Sequence, residues 1–465
     1  MRIFKLYLSD IRFWIILFFL LRLFAITDPP LEVAHHWRQT TVTMAARNFL
    51  EDSSNILLPR IDFAGEKTGI TGMEFPLLNY LIYLLSLVFG YAHWYGRLIN
   101  LAVTSVGLYF FWRLLVKYRS PYFAFNATIL LLFSIWFTYA RKIMPDTFSM
   151  SFVIMAMYYA SNYFENNGQK KALILYGFFA LIGMLSKLPS GYCLVLLFPL
   201  FVAADKRTKV WFAGVSFFCV VPVVVYYFYW VPYITTHYGF YHFFMGKSMV
   251  QGFREIMFDL PNFGEKFYLD GLQVIGFVLF LAGLFYAGIK RDRFIGTIAL
   301  LGGLAFLVVI GKAGLTFSRH SYYMVPFAPI MAVVAAFALE QLKNKKWVVV
   351  LLLAIGAESV ANKFHDFYIS DKNKAILSLE TVLERYGSRD QKILINSGEI
   401  PTPMYFAHRK GWIAYNSQIQ NTDLVHQLKA LGLKHVVILK QTFGENLKLN
   451  YPVLFDSEHF TVYQP

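Results

Sequence analysis

Apolar runs of roughly 17 to 25 residues recur along this chain until about residue 358, each long enough to cross about 30 Å of hydrocarbon at 1.5 Å per residue. Hydrocarbon offers no water to satisfy backbone amides, so such runs are stable only as helices that bond every amide internally. Composition agrees with this reading: of 465 residues, 57% are hydrophobic, 18% aromatic and only 15% charged, too apolar for a soluble protein of this length. The expected fold is an all-α polytopic membrane protein of about eleven transmembrane helices plus interfacial helices, followed by a small C-terminal α/β soluble domain.

The formal charge of +15 does not point to nucleic acid, because the basic residues sit in short clusters between apolar runs and form no continuous stripe. Cys193 and Cys219 each lie inside an apolar run, which supports neither a disulfide framework nor a cysteine metal site. Met1 to Thr27 has a basic start and an apolar run without a small-residue cleavage site before Asp28, and reads as an uncleaved first span.

Spans are drawn at about 12–27, 95–116, 121–139, 145–163, 172–186, 189–204, 209–230, 271–289, 294–310, 322–341 and 346–358. The stretch from Phe75 to Gly90 is ambiguous, and the distribution of positive charge decides it. If the stretch lies in the interface, then Arg2/Lys5, Arg113/Lys117/Arg119, Lys170/Lys171, Lys206/Arg207/Lys209, Lys290/Arg291/Arg293 and Lys343/Lys345/Lys346 all fall on one side, which is then the cytoplasm. Counting it as a span would separate the amino terminus from every other cluster. The expected topology therefore has an interfacial or re-entrant helix there, a cytoplasmic amino terminus in the plasma (inner) membrane, and residues 28–94, 140–144, 231–270, 311–321 and the tail on the outer side. The domain reading is 1–358 for the membrane domain, with its outer loop 28–94, and 359–465 for a soluble α/β domain carrying strand-like KILINS, VVILK and FTVYQ and helical TDLVHQLKALG.

The outer segments collect the polar chemistry. DPPLEVAHHWRQTTVTMAARNFL brings Glu32, His35, His36, Trp37, Arg38, Gln39 and Arg47 close behind the first span, and its TTVTMAARNFL portion has helical spacing expected to lie along the membrane surface. An ordinary interfacial belt explains Trp and Arg but does not require two His, a Gln and an acid together. Glu74, next to Pro76, reads equally as a helix-terminal acid or as a functional one. Arg141, Lys142 and Asp146 stand between two spans, and Asp146 enters the following helix, a costly place for an ionisable group. The bland alternative is a helix-terminal acid paired with Arg141. Lys187 occupies a tight turn in LSKLPSG, and Lys312, Arg319, His320, Tyr322 and Tyr323 another in IGKAGLTFSRHSYYMVP. A single outer Lys is usually a snorkelling anchor, whereas several cations beside acids suit a lipid phosphate, which needs charge-assisted donors next to an apolar groove. Transfer of a sugar from such a lipid needs a base for the acceptor proton, for which Asp146, Glu32 and Glu74 are available, and cations on the departing phosphate, for which Lys187, Arg38, Lys312 and Arg319 are available.

The order of a polar first loop, ARNF, EFPL before an interfacial helix, MPD, LSKLP, and GK with RHSYYMVP resembles the GT-C membrane glycosyltransferases, more narrowly the protein O-mannosyltransferase and lipid A aminoarabinose transferase superfamily (glycosyltransferase family 39/83-like), over roughly residues 10–341. The resemblance implies a polyprenyl-phosphate sugar donor, inverting transfer to a hydroxyl acceptor on a lipid, glycan or protein, an active site on the periplasmic or otherwise outer face, and contact with membrane lipids. It places Asp146 at the family's second-loop acid, Lys187 at the Lys of its short turn, and Lys312 with Tyr323 at its late GK and Tyr positions. Where the family has an Asp-Glu pair, counting back from Arg47 lands on Arg38 and Gln39. Either Glu32 or His36 takes the role of the base, the latter with a pKa suited to neutral pH without tuning, or Asp146 carries it, or the chemistry differs. HHW with scattered acids is no defined ligand pattern, so no obligatory metal or cofactor is expected, and a divalent ion stays open. The rival readings are a transporter or flippase, which would carry polar or broken helices at the bilayer midplane, a ligase joining preassembled lipid-linked glycans, and a noncatalytic relative.

Overall fold

The computed structural model describes residues 10–165, 168–440, 443, 444 and 447–465; the basic pair Arg2/Lys5 lies outside the described residues. The chain forms two compact units. One comprises the described residues of Met1–Ile26, Arg97–Phe228 and Phe244–Phe364, and the other comprises Thr27–Gly96, Tyr229–Phe243 and His365–Pro465. The first loop and the tail, far apart in sequence, thus belong to one unit.

The first unit is helical. Five helices among the described residues are long and apolar enough to cross a membrane: Tyr95–Val116, Lys206–Tyr238, Gln273–Lys290, Arg293–Ala313 and Lys345–Phe367. They match five of the eleven spans drawn from hydropathy, and the eleven-span count is not reproduced. The other six differ for identifiable reasons. Ile11–Arg22, Pro121–Leu132 and Ala328–Gln341 are short helices of 12, 12 and 14 residues, and Lys170–Ser186 has 17. Leu188–Leu197 is a 3-10 helix continued by Phe198–Ala203; at about 2.0 Å rise per residue for the first part, these sixteen residues reach about 29 Å. Pro145–Glu165 is long enough, with 21 residues, but polar. It is buried along most of its length, including Asp146, Thr147, Ser149, Ser151 and Ser161, so its neighbours are protein and not lipid. Ser151 donates to the Thr147 carbonyl at 2.7 Å, and a Cβ on Gly107 would lie 2.5 Å from the Ser151 side chain, the small-residue packing by which membrane helices approach closely.

The basic clusters converge at one end of this unit. Lys117 donates to Ser161 (2.8 Å) and Asn162 (2.7 Å) and pairs with Glu165 (2.7 Å). Arg119 pairs with Asp292, Tyr163 donates to the Thr208 carbonyl at 3.2 Å, and the Lys345 ammonium stands 4.5 Å from the Tyr122 ring. The turns at 113–119, 206–209, 290–293 and 343–346 are therefore neighbours of one another, as a charge-biased topology requires of helix ends on one side.

The second unit is built on a five-stranded sheet: β1 (Lys392–Ile395), β2 (Gly411–Ile413), β3 (Leu433–Leu439), β4 (Val453–Asp456) and β5 (Phe460–Tyr463), in the order β2-β1-β3-β5-β4. β1 is parallel to β2 and β3, while β5 is antiparallel to β3 and β4. Alternation along the strands decides what each face covers. Ile393, Ile395, Val437, Leu439, Phe460 and Val462 pack with Met44, Ala45, Ile61 and Met73 of the first loop, whereas Leu394, Val436, Ile438 and Tyr463 pack with Val425 and Leu428 of the Thr422–Ala430 helix. The first-loop helix, His36–Glu51, is consequently buried at every position from Gln39 to Phe49. The Leu77–Phe89 helix also packs on it, Asn79 donating to the Val42 carbonyl at 2.9 Å. The Leu77–Phe89 helix has 13 residues and reaches about 20 Å, too short to span. Its exposed Leu87, Val88 and Phe89 leave an apolar end.

Candidate active site

In the helical unit, the sequence MPD begins a helix. Pro145 pre-sets the backbone of the first turn, and Asp146 follows where helix amides favour an acid. The preceding loop is held by Asn100, whose amide donates to the carbonyls of Tyr139 (2.9 Å), Lys142 (2.8 Å) and Met144 (3.3 Å) and whose oxygen accepts from Thr147 (3.0 Å). Sequence reasoning missed Asn100, because an Asn inside an apolar run looks like any tolerated polar residue. The Lys170–Ser186 helix ends where Lys187 turns extended (φ −163°) ahead of Pro189. Gly183 brings this helix against the Asp146 helix, since a Cβ there would meet Val153 at 2.8 Å and the Ser149 carbonyl at 3.2 Å. Ser149 donates to the carbonyls of Gly183 (2.7 Å) and Lys187 (3.3 Å).

These contacts place the Lys187 ammonium 2.6 Å from the Asp146 carboxylate, with both side chains buried. The same ammonium lies 4.6 Å from the Tyr322 ring centroid. Tyr322 in turn stacks on His320 (5.2 Å, 10°) and contacts Tyr323 (4.8 Å). Asp146, Lys187, His320 and Tyr323 are thus brought together. Lys312 and Arg319 are exposed. Arg141 donates to the carbonyls of Phe24 and Ala25 (3.1 Å) just past the Ile11–Arg22 helix, while Asp146 pairs with Lys187. Ser161, beside the basic clusters, is fifteen residues along the helix from Asp146, which puts the pair about 22 Å from that end. A Gly183→Leu substitution should force the two helices apart. We expect it to lower thermal stability by about 1–3 kcal/mol, the cost of overpacking, with a Gly183→Ala change costing less.

In the other unit, Arg38 forms an ion pair with Glu74, and Gln39 donates to the buried Glu32 carboxylate at 3.3 Å. The two positions that lack acids therefore each hold one from elsewhere in the loop. His36 Nδ1 is 2.8 Å from the Thr402 hydroxyl, and both line a cavity of about 170 Å³ with Leu31, Asn373, Ile400 and Phe443. His35 caps the helix in the left-handed region (φ 60°), and the partly buried Trp37 gives its carbonyl to Thr41 (2.8 Å). Arg47 belongs to the core: it pairs with Asp62 at 2.9 Å and donates to the Tyr405 carbonyl at 3.0 Å.

His242, which sequence reasoning passed over as a lone histidine in a long loop, packs edge-on against Phe63 (5.3 Å). Burial and the positive charge of Arg38 push its imidazole down to about 4, with Glu74 opposing. The unfolded chain then takes up the proton first as pH falls. Stability from this group is complete above about pH 6.5 and declines by about 3 kcal/mol as pH drops to 4. Acid titration of unit-two melting should show that decline, and His242→Phe should flatten it.

Among the described residues, no group of three or more His, Cys, Asp or Glu side chains is placed to hold a metal ion.

A family model described as "Dolichyl-phosphate-mannose-protein mannosyltransferase" matches residues 74–230, a range that contains Glu74, Asp146 and Lys187. Among solved structures, ArnT from Cupriavidus metallidurans in the apo state superposes with a TM-score of 0.59 over 97% of both chains at 11% identity, and the same protein bound to undecaprenyl phosphate with 0.58. The fold is that of the GT-C glycosyltransferases. The oligosaccharyltransferase of Archaeoglobus fulgidus also matches, with a TM-score of 0.57 and 12% identity over 91% of this chain and 69% of that one. No curated protein matches. The GT-C fold and the long apolar helices make this chain an integral, multi-pass membrane protein.

Proposed function

We propose that this chain is a membrane glycosyltransferase that moves a sugar from a polyprenyl-phosphate donor to a hydroxyl acceptor, with inversion, on the outer face of the membrane. The observation that carries this reading is the buried Asp146–Lys187 ion pair, at the far end of its helix from the converging basic clusters. The bilayer is a poor place for two charges unless they serve a ligand or each other. In the proposed reaction the acceptor oxygen attacks the anomeric carbon opposite the phosphate, the carbon–oxygen bond to phosphate breaks, and Asp146 receives the acceptor proton. Lys187 meets the charge that builds on the leaving phosphate, with the exposed Lys312 and Arg319 as further cations. Glu32 and His36 remain second choices for the base, and the Arg38–Glu74 and Gln39–Glu32 contacts are read as the loop's replacement for the Asp-Glu pair. Two findings support the donor class: the family description names a dolichyl-phosphate sugar, and the ArnT structure holds undecaprenyl phosphate.

The test is binding of undecaprenyl phosphate to purified protein. Lys187→Met should weaken it by about 1.5–3 kcal/mol, roughly 10- to 150-fold, the worth of a charge-assisted hydrogen bond. Unchanged affinity would assign Lys187 to Asp146 alone.

A further inference from the structure

The helical unit contains a second feature that the ion pair does not use, an apolar cavity of about 340 Å³. One wall is a single face of the Asp146 helix, formed by Met150, Ile154, Met157 and Ser161 at spacings of four, three and four residues. Facing walls include Val333 and Leu197. An apolar cavity of about 150 Å³ already takes a benzene ring, so this one has room for a length of hydrocarbon. From Met150 to Ser161 the wall extends about 16 Å.

The polar rim identifies the occupant. Arg293 lines the cavity beside Tyr118 and Phe294, and it is exposed. Nearby cations are already matched, Arg119 by Asp292 and Lys117 by Glu165. Among the described residues, no carboxylate pairs with Arg293, which follows Lys290 and Arg291 at the same helix junction. An open apolar slot with an unmatched guanidinium at its mouth has the chemistry of a lipid site: an acyl chain inside and an anionic headgroup at the rim. The Ser161 end of the slot is about 22 Å from Asp146 along the helix, so a phosphate held at Arg293 is not one held at Lys187.

We propose that this cavity holds one acyl chain of an anionic phospholipid whose phosphate is bound by Arg293. The site is independent of the sugar-transfer reading and would serve equally in a protein without that activity.

The test uses full-length protein reconstituted in phosphatidylcholine bilayers containing phosphatidylglycerol, with retained lipid read by native mass spectrometry. Wild type should retain phosphatidylglycerol over phosphatidylcholine of equal chain length by at least about fivefold, the worth of a single basic residue at a lipid surface. Arg293→Glu should remove the preference, and Met157→Trp, which fills the slot, should remove retention of both lipids. Val333→Phe fills it from another helix and covers the case in which the Trp variant does not fold. Retention unchanged by Arg293→Glu, retention unchanged by either filling variant, or displacement of the phospholipid by undecaprenyl phosphate at equal concentration would each overturn the proposal, the last assigning the slot to the donor's tail.

Discussion

Asp146→Asn is expected to lower sugar transfer by at least about a hundredfold while the protein still inserts, extracts as a single species and binds the lipid phosphate. A positioned proton acceptor contributes about 10²–10⁴-fold, and the amide cannot take the proton at all. The substitution is nearly isosteric and leaves an amide oxygen that can still accept from Lys187, and Asn100, Thr147 and Ser149 also bond the first turn of this helix to neighbouring backbone and side chains. Loss of rate with retained binding therefore separates chemistry from assembly. Asp146→Glu should recover part of the rate. A wild-type rate in the Asn variant would make the ion pair a structural anchor and move the base to Glu32 or His36.

Arg47→Met should be the most damaging single change to the stability of the second unit, costing about 3–5 kcal/mol, because it leaves the Asp62 carboxylate buried without its cation. The surrounding geometry is unforgiving. Asn48 also donates to Asp62 at 2.8 Å, and the Arg47 guanidinium stacks over the Tyr405 ring at 4.6 Å. Burial pushes Arg47 down, but the Asp62, Tyr405 and Tyr91 charges outweigh it and hold its pKa above the ordinary value. The Arg47→Met/Asp62→Leu double variant should cost less than Arg47→Met alone, since no charge is then stranded. Thermal unfolding followed through Trp412, which lies on β2 of this unit, measures both. A double variant as unstable as the single one would show that packing, and not the charge, is what matters.

Much of the fold was legible because hydropathy reports directly on lipid contact. The five helices that meet the length and apolarity of a span are ones in which at most about half of the residues are buried inside the protein. Pro145–Glu165 illustrates the limit: a helix surrounded by protein is free to carry Ser, Thr and Asp, so its hydropathy falls although its length suffices. In the tail, KILI, LKHVVIL and FTVY are apolar enough to announce β1, β3 and β5, whereas Gly411–Ile413 and Val453–Asp456 are too short or too exposed to stand out.

The candidate site was legible in part for a related reason. Asp146 and Lys187 drew notice because ionisable groups beside apolar runs are costly, and that cost is visible in one dimension. Arg47 met the same criterion, but its partner Asp62 is fifteen residues away across a turn, and only the folded unit shows that the pair serves the core. Arg38 and Gln39 read as a gap in the acid pattern. Their contacts with Glu74 and Glu32 are tertiary, so no spacing rule could have supplied them.

Sugar transfer itself is tested by turnover: purified protein in lipid, a panel of labelled polyprenyl-phosphate sugars, and detection of both sugar-modified acceptor and released polyprenyl phosphate. The expected result is release of lipid phosphate matched by transfer, with the anomeric configuration inverted, and loss of both in Asp146→Asn. Passage of intact donor across the bilayer, with no bond to the sugar broken and no dependence on Asp146, would contradict it and make the chain a transporter on a glycosyltransferase fold.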